Sequence, residues 1–292
     1  MHSLKTFILG LILFLAAVTG PACDPSTAIL PNLNIFSDQD DIKLGDSVVT
    51  VMLNDPAHYP MLTGANAEAI KNYISGTIIG EILKSNVIEK NSIYNYQSKI
   101  HIINDDSTMN AFALPGGPIF IYSGILKYLP NEAALAGVLG HEIAHAERRH
   151  ASTRMTQQMG ISVLLQVVLG QSPSTLMQIA GQLFTGLAVL QNSRANEDEA
   201  DLYSFKYLSG SKYYPGSVKF FFEKMRDDGL VASNSGSVAT FLSTHPDPIA
   251  RISSTDSRLT NAGVAVQSYN VSGPPSNYFT NEYLTNIKSK LP

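Results

Sequence analysis

Apolar residues recur three or four positions apart along much of this 292-residue chain, and a few short alternating runs interrupt them. Ile70, Tyr73, Ile74, Ile78, Ile79 and Ile82 fall at helical spacing within residues 67–83, which predicts an amphipathic helix lying on a core. Residues 98–103 alternate and are β-branched, the pattern of a strand. Residues 110–114 and 118–122 read as two extended segments joined by Pro115-Gly116-Gly117, a hairpin whose prolines confine it to an edge or end of a sheet. A short helix is expected over 123–129, stopped by Pro130. The run 131–150 then predicts a helix with Asn131 as N-cap. Ala133, Ala134, Leu135, Val138 and Leu139 give it the heavily apolar face of a helix passing through the centre of a domain. Segments 161–169 and 176–190 are also apolar, but each is shorter than the ~20 residues that cross a bilayer. A helical hairpin packed on the domain is the expectation there, with a cap over a cleft or a membrane contact as alternatives.

Composition narrows the picture. A hydrophobic share of 44% against 15% charged residues describes a folding, globular chain. A net charge of −4 lacks the basic footprint of a nucleic-acid partner. The single cysteine, Cys23, excludes an intrachain disulfide and a thiolate-held zinc, so any metal must be bound by histidines and carboxylates. Residues 1–22 have the build of an export signal, with Lys5, an apolar run over 7–18 and small residues before Cys23. Cys23 stands where a lipoprotein would be cleaved and acylated, although Gly20 departs from the usual Leu. A membrane-anchored lipoprotein facing the periplasm is expected; a soluble periplasmic or secreted protein is the alternative. Residues 23–40 read as a tether, 41–262 as the domain and 263–292 as a C-terminal tail.

The chemistry centres on His141-Glu142-Ile143-Ala144-His145. Residues four apart on a helix share a face, so His141 and His145 can offer two imidazoles to one metal ion. Glu142, one step round, falls where a carboxylate can take a proton from an attacking water. This HExxH pattern is that of zinc-dependent peptide hydrolysis; a solvated face on which Glu142, His145 and Arg149 pair with neighbours is the plainer alternative. His150, beyond the motif, reads as a surface residue.

A catalytic zinc usually takes three protein ligands. Roughly fifty residues on, the run 196–201 opens another helix, and its Glu197 can supply the third. Asp201, four residues later, faces the same way and can accept a hydrogen bond from the free ring nitrogen of a ligating histidine. An acidic first helical turn favoured by the macrodipole is the alternative. The 110–117 hairpin offers an edge strand to which a substrate backbone could add itself, or is an ordinary hairpin.

These pieces resemble the gluzincin zinc metalloendopeptidases, specifically the family that includes HtpX, LoiP, BepA, the CAAX prenyl endopeptidase and the mitochondrial Oma peptidase. The resemblance is carried by residues 110–117, Asn131-Glu132, residues 140–145, Arg149-His150, Ser193-Arg194, residues 197–201, residues 243–246 and Arg251-Ile252, in the family's order. It implies His141, His145 and Glu197 as ligands of one Zn2+ per chain and Glu142 as general base. Asn110, Ala111, Phe112 and Ala113 become the substrate-binding edge strand. It also implies that His245 lies near the metal, either steadying the oxyanion or filling a coordination position and holding the enzyme latent. Arg251 is implied near a carboxylate or in a structural role. The fold class expected is α+β, mostly helical, with the HExxH helix packed against a small sheet.

The function expected is zinc-dependent cleavage of extended or misfolded envelope proteins, with polypeptide substrates and a membrane reached through the lipid anchor as partners. The alternatives are a latent zinc-bound chaperone or assembly factor, and a membrane-surface protein using the 161–190 hairpin.

Overall fold

The structure, a computed structural model, describes residues 33–158, 192–233, 236–271 and 276–292. The export signal, Cys23 and the 161–190 hairpin lie outside them. In chain order come α1 (Asp38–Leu53), α2 (Ala65–Tyr73, continued by a π-helical stretch Ile74–Ile79), β1 (Ile100–Ile103), β2 (Ala111–Ala113) and β3 (Ile119–Tyr122). After them come α3 (Ser123–Tyr128), α4 (Glu132–Glu147), α5 (His150–Gln158), α6 (Arg194–Ser209), α7 (Val218–Asp227), α8 (Ala239–Thr244), α9 (Pro248–Asn261) and α10 (Thr280–Asn286). The protein is therefore α+β and mostly helical, with the HExxH helix against a small sheet.

Helix α4 is the axis of the molecule, and all of its residues are buried. Its alanines and glycines leave no bulky ridge, so neighbouring backbones come close on several sides. A Cβ on Gly137 would sit 2.4 Å from the backbone nitrogen of Val218 at the start of α7. On the side facing α6, Ser204 donates its hydroxyl to the Gly137 carbonyl at 2.9 Å. Both ends of α4 are tied down. Asn131 caps the first turn by accepting from the Ala134 amide, and the fully buried Glu132 accepts from the hydroxyls of Tyr73 and Tyr213. In the last turn Glu147 accepts from the Glu89 and Lys90 amides and from the Tyr96 hydroxyl.

The helix expected to run to His150 stops earlier. Arg149 adopts a left-handed conformation, with φ of 58°. Such a conformation costs a side-chain-bearing residue on the order of 1–2 kcal/mol. Here it is held by the buried Asp41 of α1, 2.6 Å from Arg149 Nε, and by the Phe36 carbonyl, which accepts from Nη2. The break starts α5 in a new direction.

The sheet has the order β1-β3-β2, with β1 and β3 parallel and β2 antiparallel to β3. The Leu62 amide covers the far side of β1 by donating to the Ile102 carbonyl, which leaves β2 as the open edge. The hairpin turn between β2 and β3 needs its glycines. Gly116 and Gly117 have φ of +75° and +100°, and a Cβ on Gly116 would strike the Ile42 backbone of α1. The stretch read as a C-terminal tail adds Tyr278, Tyr283 and Ile287 to the main core. Among the described residues, no helix is long and apolar enough to cross a membrane.

The contact at Gly137 sets a prediction. Gly137→Ala forces α4 and α7 apart, and overpacking of this kind costs about 1–3 kcal/mol. A thermal melt should show a midpoint lower by roughly 2 °C or more. An unchanged midpoint would mean that the two helices do not meet at that glycine.

Candidate metal centre

Because α4 is buried all round, its two histidines are turned into the protein rather than into water. His141 and His145, one turn apart, bring their Nε2 atoms to 2.9 Å. Glu197, in the first turn of α6, places Oε2 3.4 Å from His141 Nε2 and Oε1 3.2 Å from His145 Nε2. His245, just after α8, is the fourth member, and one donor atom from each of the four lies within 4.8 Å of the others.

The nitrogens behind these rings decide which face carries the lone pair. Arg251 of α9 grips Asp201 with Nε at 2.7 Å and Nη2 at 2.6 Å, so Asp201 stays ionised. His141 Nδ1 stands 2.9 Å from the same Oδ1 and donates its proton there, leaving the Nε2 lone pair aimed at the centre. Arg251 Nη2 also lies 3.1 Å from that Nδ1, a longer contact than its 2.6 Å bond to the carboxylate. His145 is oriented by another histidine. Its Nδ1 lies 2.8 Å from Nδ1 of His150, whose Nε2 donates to Glu199 at 2.9 Å. With that proton on Nε2, His150 accepts at Nδ1, and His145 too presents a lone pair inward. For His245, the Thr244 hydroxyl reaches the carbonyls of Thr240 and Phe241 and lies 2.8 Å from Nδ1. The carbonyls take the hydroxyl proton, so Nδ1 donates to the hydroxyl oxygen and Nε2 again keeps its lone pair.

Lone pairs and a carboxylate crowded together without a cation repel one another. Among the described residues neither oxygen of Glu197 has a hydrogen-bond partner, and Glu142 Oε1 has none either. Arg251 Nη1 comes within 2.7 Å of Glu197 Oε2, but without the alignment of a hydrogen bond. Orphaned buried acceptors converging with neutral imidazoles fit a divalent cation, and two histidines with one glutamate are a donor set of catalytic zinc. The titration behaviour agrees. Burial and Arg251 oppose a charge on His141, yet Glu197 and Asp201 outweigh them and bring its pKa up to about 9. A proton takes the cation's part in the metal-free site. Burial, aided by the neighbouring His141, drives His145 well below the imidazole range. Burial works to raise Glu197, but His245, Arg251 and His141 hold it well below the carboxylate range.

Glu142 stands beside the cluster. Burial lifts its pKa to about 7, and the Ala113 amide, donating to Oε2 at 3.0 Å, works the other way. That amide belongs to the open edge strand. Asn110 and Leu114 are bonded toward β3, so the alternation of the strand turns the backbone of Ala111 and Ala113 outward. Phe112 stacks on Phe120 of β3 with ring centroids 5.3 Å apart.

Spacing along the sequence groups His141, Glu142, His145, Glu197 and Asp201, the family resemblance adds His245, and the fold brings these six side chains together. His150 differs from expectation, since it is buried behind His145 rather than exposed. Its position depends on the helix break at Arg149, which the periodicity of 131–150 does not reveal. Glu199, whose spacing to Asp201 puts it on another face, serves His150 and Arg148 instead.

At pH 7.5 His141, with its pKa of about 9, is protonated, whereas zinc requires the neutral ring. Zinc binding should therefore release about one proton at this pH, and affinity should rise as pH climbs toward that value. Titration calorimetry in buffers of different ionisation enthalpy reads this directly. Heats independent of the buffer would contradict it.

Residues 79–259 match peptidase family M48. The mitochondrial metalloendopeptidase OMA1 of Schizosaccharomyces pombe is 30% identical over 190 residues, covering 64% of this chain and 53% of that protein. The beta-barrel assembly-enhancing protease of Escherichia coli K12 is 32% identical over 169 residues, covering 54% of this chain and 33% of that protein. The OMA1 of Saccharomyces cerevisiae is 35% identical over 156 residues, 53% of this chain and 45% of that protein. The chain thus spans about half, or less, of the length of these relatives.

Proposed function

The chain belongs to peptidase family M48, and on that premise we propose that it is a zinc-dependent endopeptidase acting on extended polypeptide segments. The observation that carries this reading is the convergence of His141, His145 and Glu197, with orphaned carboxylate oxygens, beside the buried Glu142. His141, His145 and Glu197 would hold the zinc, with Asp201 and His150 fixing the two rings. Zinc bound there supplies Lewis-acid polarisation of the scissile carbonyl and brings the pKa of a water toward ~7.

The protein's own groups do the rest. Glu142 takes the proton of the attacking water and later delivers it to the leaving amine. Its pKa of about 7 makes it a carboxylate able to hold a proton briefly near neutral pH. The outward backbone of Ala111 and Ala113 pairs with the substrate strand, alongside Asn110 and Phe112. A substrate carbonyl that takes the Ala113 amide displaces it from Glu142 and frees that carboxylate for its work. Pairing of this kind needs an unfolded or extended substrate, because a folded one has no free strand backbone.

The finer reading is that these substrates are misfolded proteins of the cell envelope. It is supported by the signal-like pattern of residues 1–22, by the position of Cys23 directly after it and by similarity to a protein named as a beta-barrel assembly-enhancing protease. A second reading, a zinc-bound latent state, is favoured by His245. Its Nε2 lies 3.5 Å from Glu142 Oε1, and burial lowers its pKa to about 4. A neutral ring with an inward lone pair is suited to ligation rather than to donating a hydrogen bond to an oxyanion.

The test is cleavage of an unfolded protein by the zinc-loaded chain. Glu142→Gln should bind zinc as the wild type does and lose activity by about 10²–10⁴-fold. In parallel, His245→Ala should raise activity if the histidine blocks the site. Equal cleavage by wild type and Glu142→Gln sinks the endopeptidase reading; a fall in activity with His245→Ala sinks the latent one.

A further inference from the structure

In front of the metal centre lies a cavity of about 260 Å³, bounded by Phe112 and Ala113 of β2, by Glu142 and His145, and by Arg154 and Met155 of α5. Arg154 is the one Arg or Lys side chain in this lining. Other buried or partly buried guanidiniums face carboxylates: Arg251 holds Asp201, and Arg149 holds Asp41. Among the described residues Arg154 has no such partner. Its Nη1 donates to the neutral side chain of Asn192, and its Nε is buried without a hydrogen-bond partner among the described residues. The residues outside the description bring little that could neutralise it, since 159–191 contain no Asp or Glu and the others contain only Asp24. Burial pulls Arg154 below the ordinary guanidinium pKa, and Glu197 is the carboxylate whose charge offsets part of that. Glu197 is engaged by the metal in the proposed enzyme, which leaves Arg154 still less compensated.

A half-buried cation without a carboxylate bonded to it costs stability, and among the described residues only the charge of Glu197 offsets part of that cost. A carboxylate entering the cavity would offset the rest, through paired bonds to the guanidinium fork. We propose that Arg154 is a specificity-determining residue that receives a carboxylate of the bound peptide, either an acidic side chain near the scissile bond or the C-terminal carboxylate. This rests on the endopeptidase reading and names the substrate class within it. Glutamine is the informative comparator for glutamate, because it keeps the shape and loses the charge. A site built to pair with a substrate group discriminates against the analogue lacking it, here by about tenfold or more.

The experiment uses the full zinc-loaded chain and quenched-fluorescence peptides that differ by a single Glu or Gln at each position around the cut. A second set differs only in a free or amidated C-terminus placed a few residues beyond it. The kcat/KM ratio of acidic to neutral peptide is measured for wild type, Arg154→Met and Arg154→Lys. The matching ratio of Kd values is measured by fluorescence anisotropy in the Glu142→Gln background, with and without Arg154→Met. A ratio of about ten or more at one position in the wild type should fall to near one with Arg154→Met and be partly kept by Arg154→Lys. The peptide set that shows it distinguishes side chain from C-terminus. A ratio near one at every position in the wild type, or a ratio that survives Arg154→Met, overturns the proposal. Should the wild type cut no peptide at all, the endopeptidase reading fails, and the Kd ratios alone then decide the role of Arg154.

Discussion

Four ionisable donors and their supporting charges share one buried volume at the back of the cavity. Charges buried this way are tolerated only when each meets an opposite charge or a metal. The Asp201–Arg251 pair meets that requirement by itself, with two aligned bonds. His141, His145 and Glu197 do not, and a proton or a cation must sit among them. Removing Arg251 would leave Asp201 without its paired cation, so the guanidinium fixes both the charge and the shape of the site. The site is in this sense unfinished without its metal.

The remainder of the chain is arranged to hold that volume in shape and its rings correctly turned. Helix α4 carries two of the donors and can be wholly interior because its side chains are small enough for α6 and α7 to close on it. Buried glutamates at both ends, Glu132 and Glu147, stop it sliding along its axis. The left-handed Arg149, held by Asp41, redirects α5 so that His150 comes back behind His145. The same redirection carries Arg154 into the wall of the cavity, which links the N-terminal helix α1 to the site although it contributes no donor.

Much of the site was legible because helical spacing is a short-range property. The four-residue steps His141 to His145 and Glu197 to Asp201 place each pair on one face whatever the tertiary packing. The hairpin over 110–122 was legible from Pro115-Gly116-Gly117, since only a glycine fits where Gly116 meets α1. What could not be read depends on contacts between distant segments. Arg149 looks like any helical arginine until Asp41, more than a hundred residues earlier, holds it in a left-handed conformation. His150 consequently reads as a surface residue, and the isolation of Arg154 becomes visible only when every neighbouring carboxylate is known to be taken. Tyr278 and Tyr283 lie in a polar stretch without strong periodicity, so their place in the core is set by packing rather than by local pattern.

The central claim is that two imidazoles and one carboxylate from α4 and α6 converge on a single zinc ion. X-ray absorption at the zinc edge, on the chain loaded with one equivalent of zinc, measures this most directly. The account predicts two nitrogen ligands with the second-shell scattering of imidazole and at least one carboxylate oxygen, all at roughly 2.0–2.2 Å, with the oxygen contribution altered by Glu197→Ala. A third imidazole would show His245 in place. A spectrum of zinc surrounded by water alone, or one unchanged by Glu197→Ala, would contradict the account.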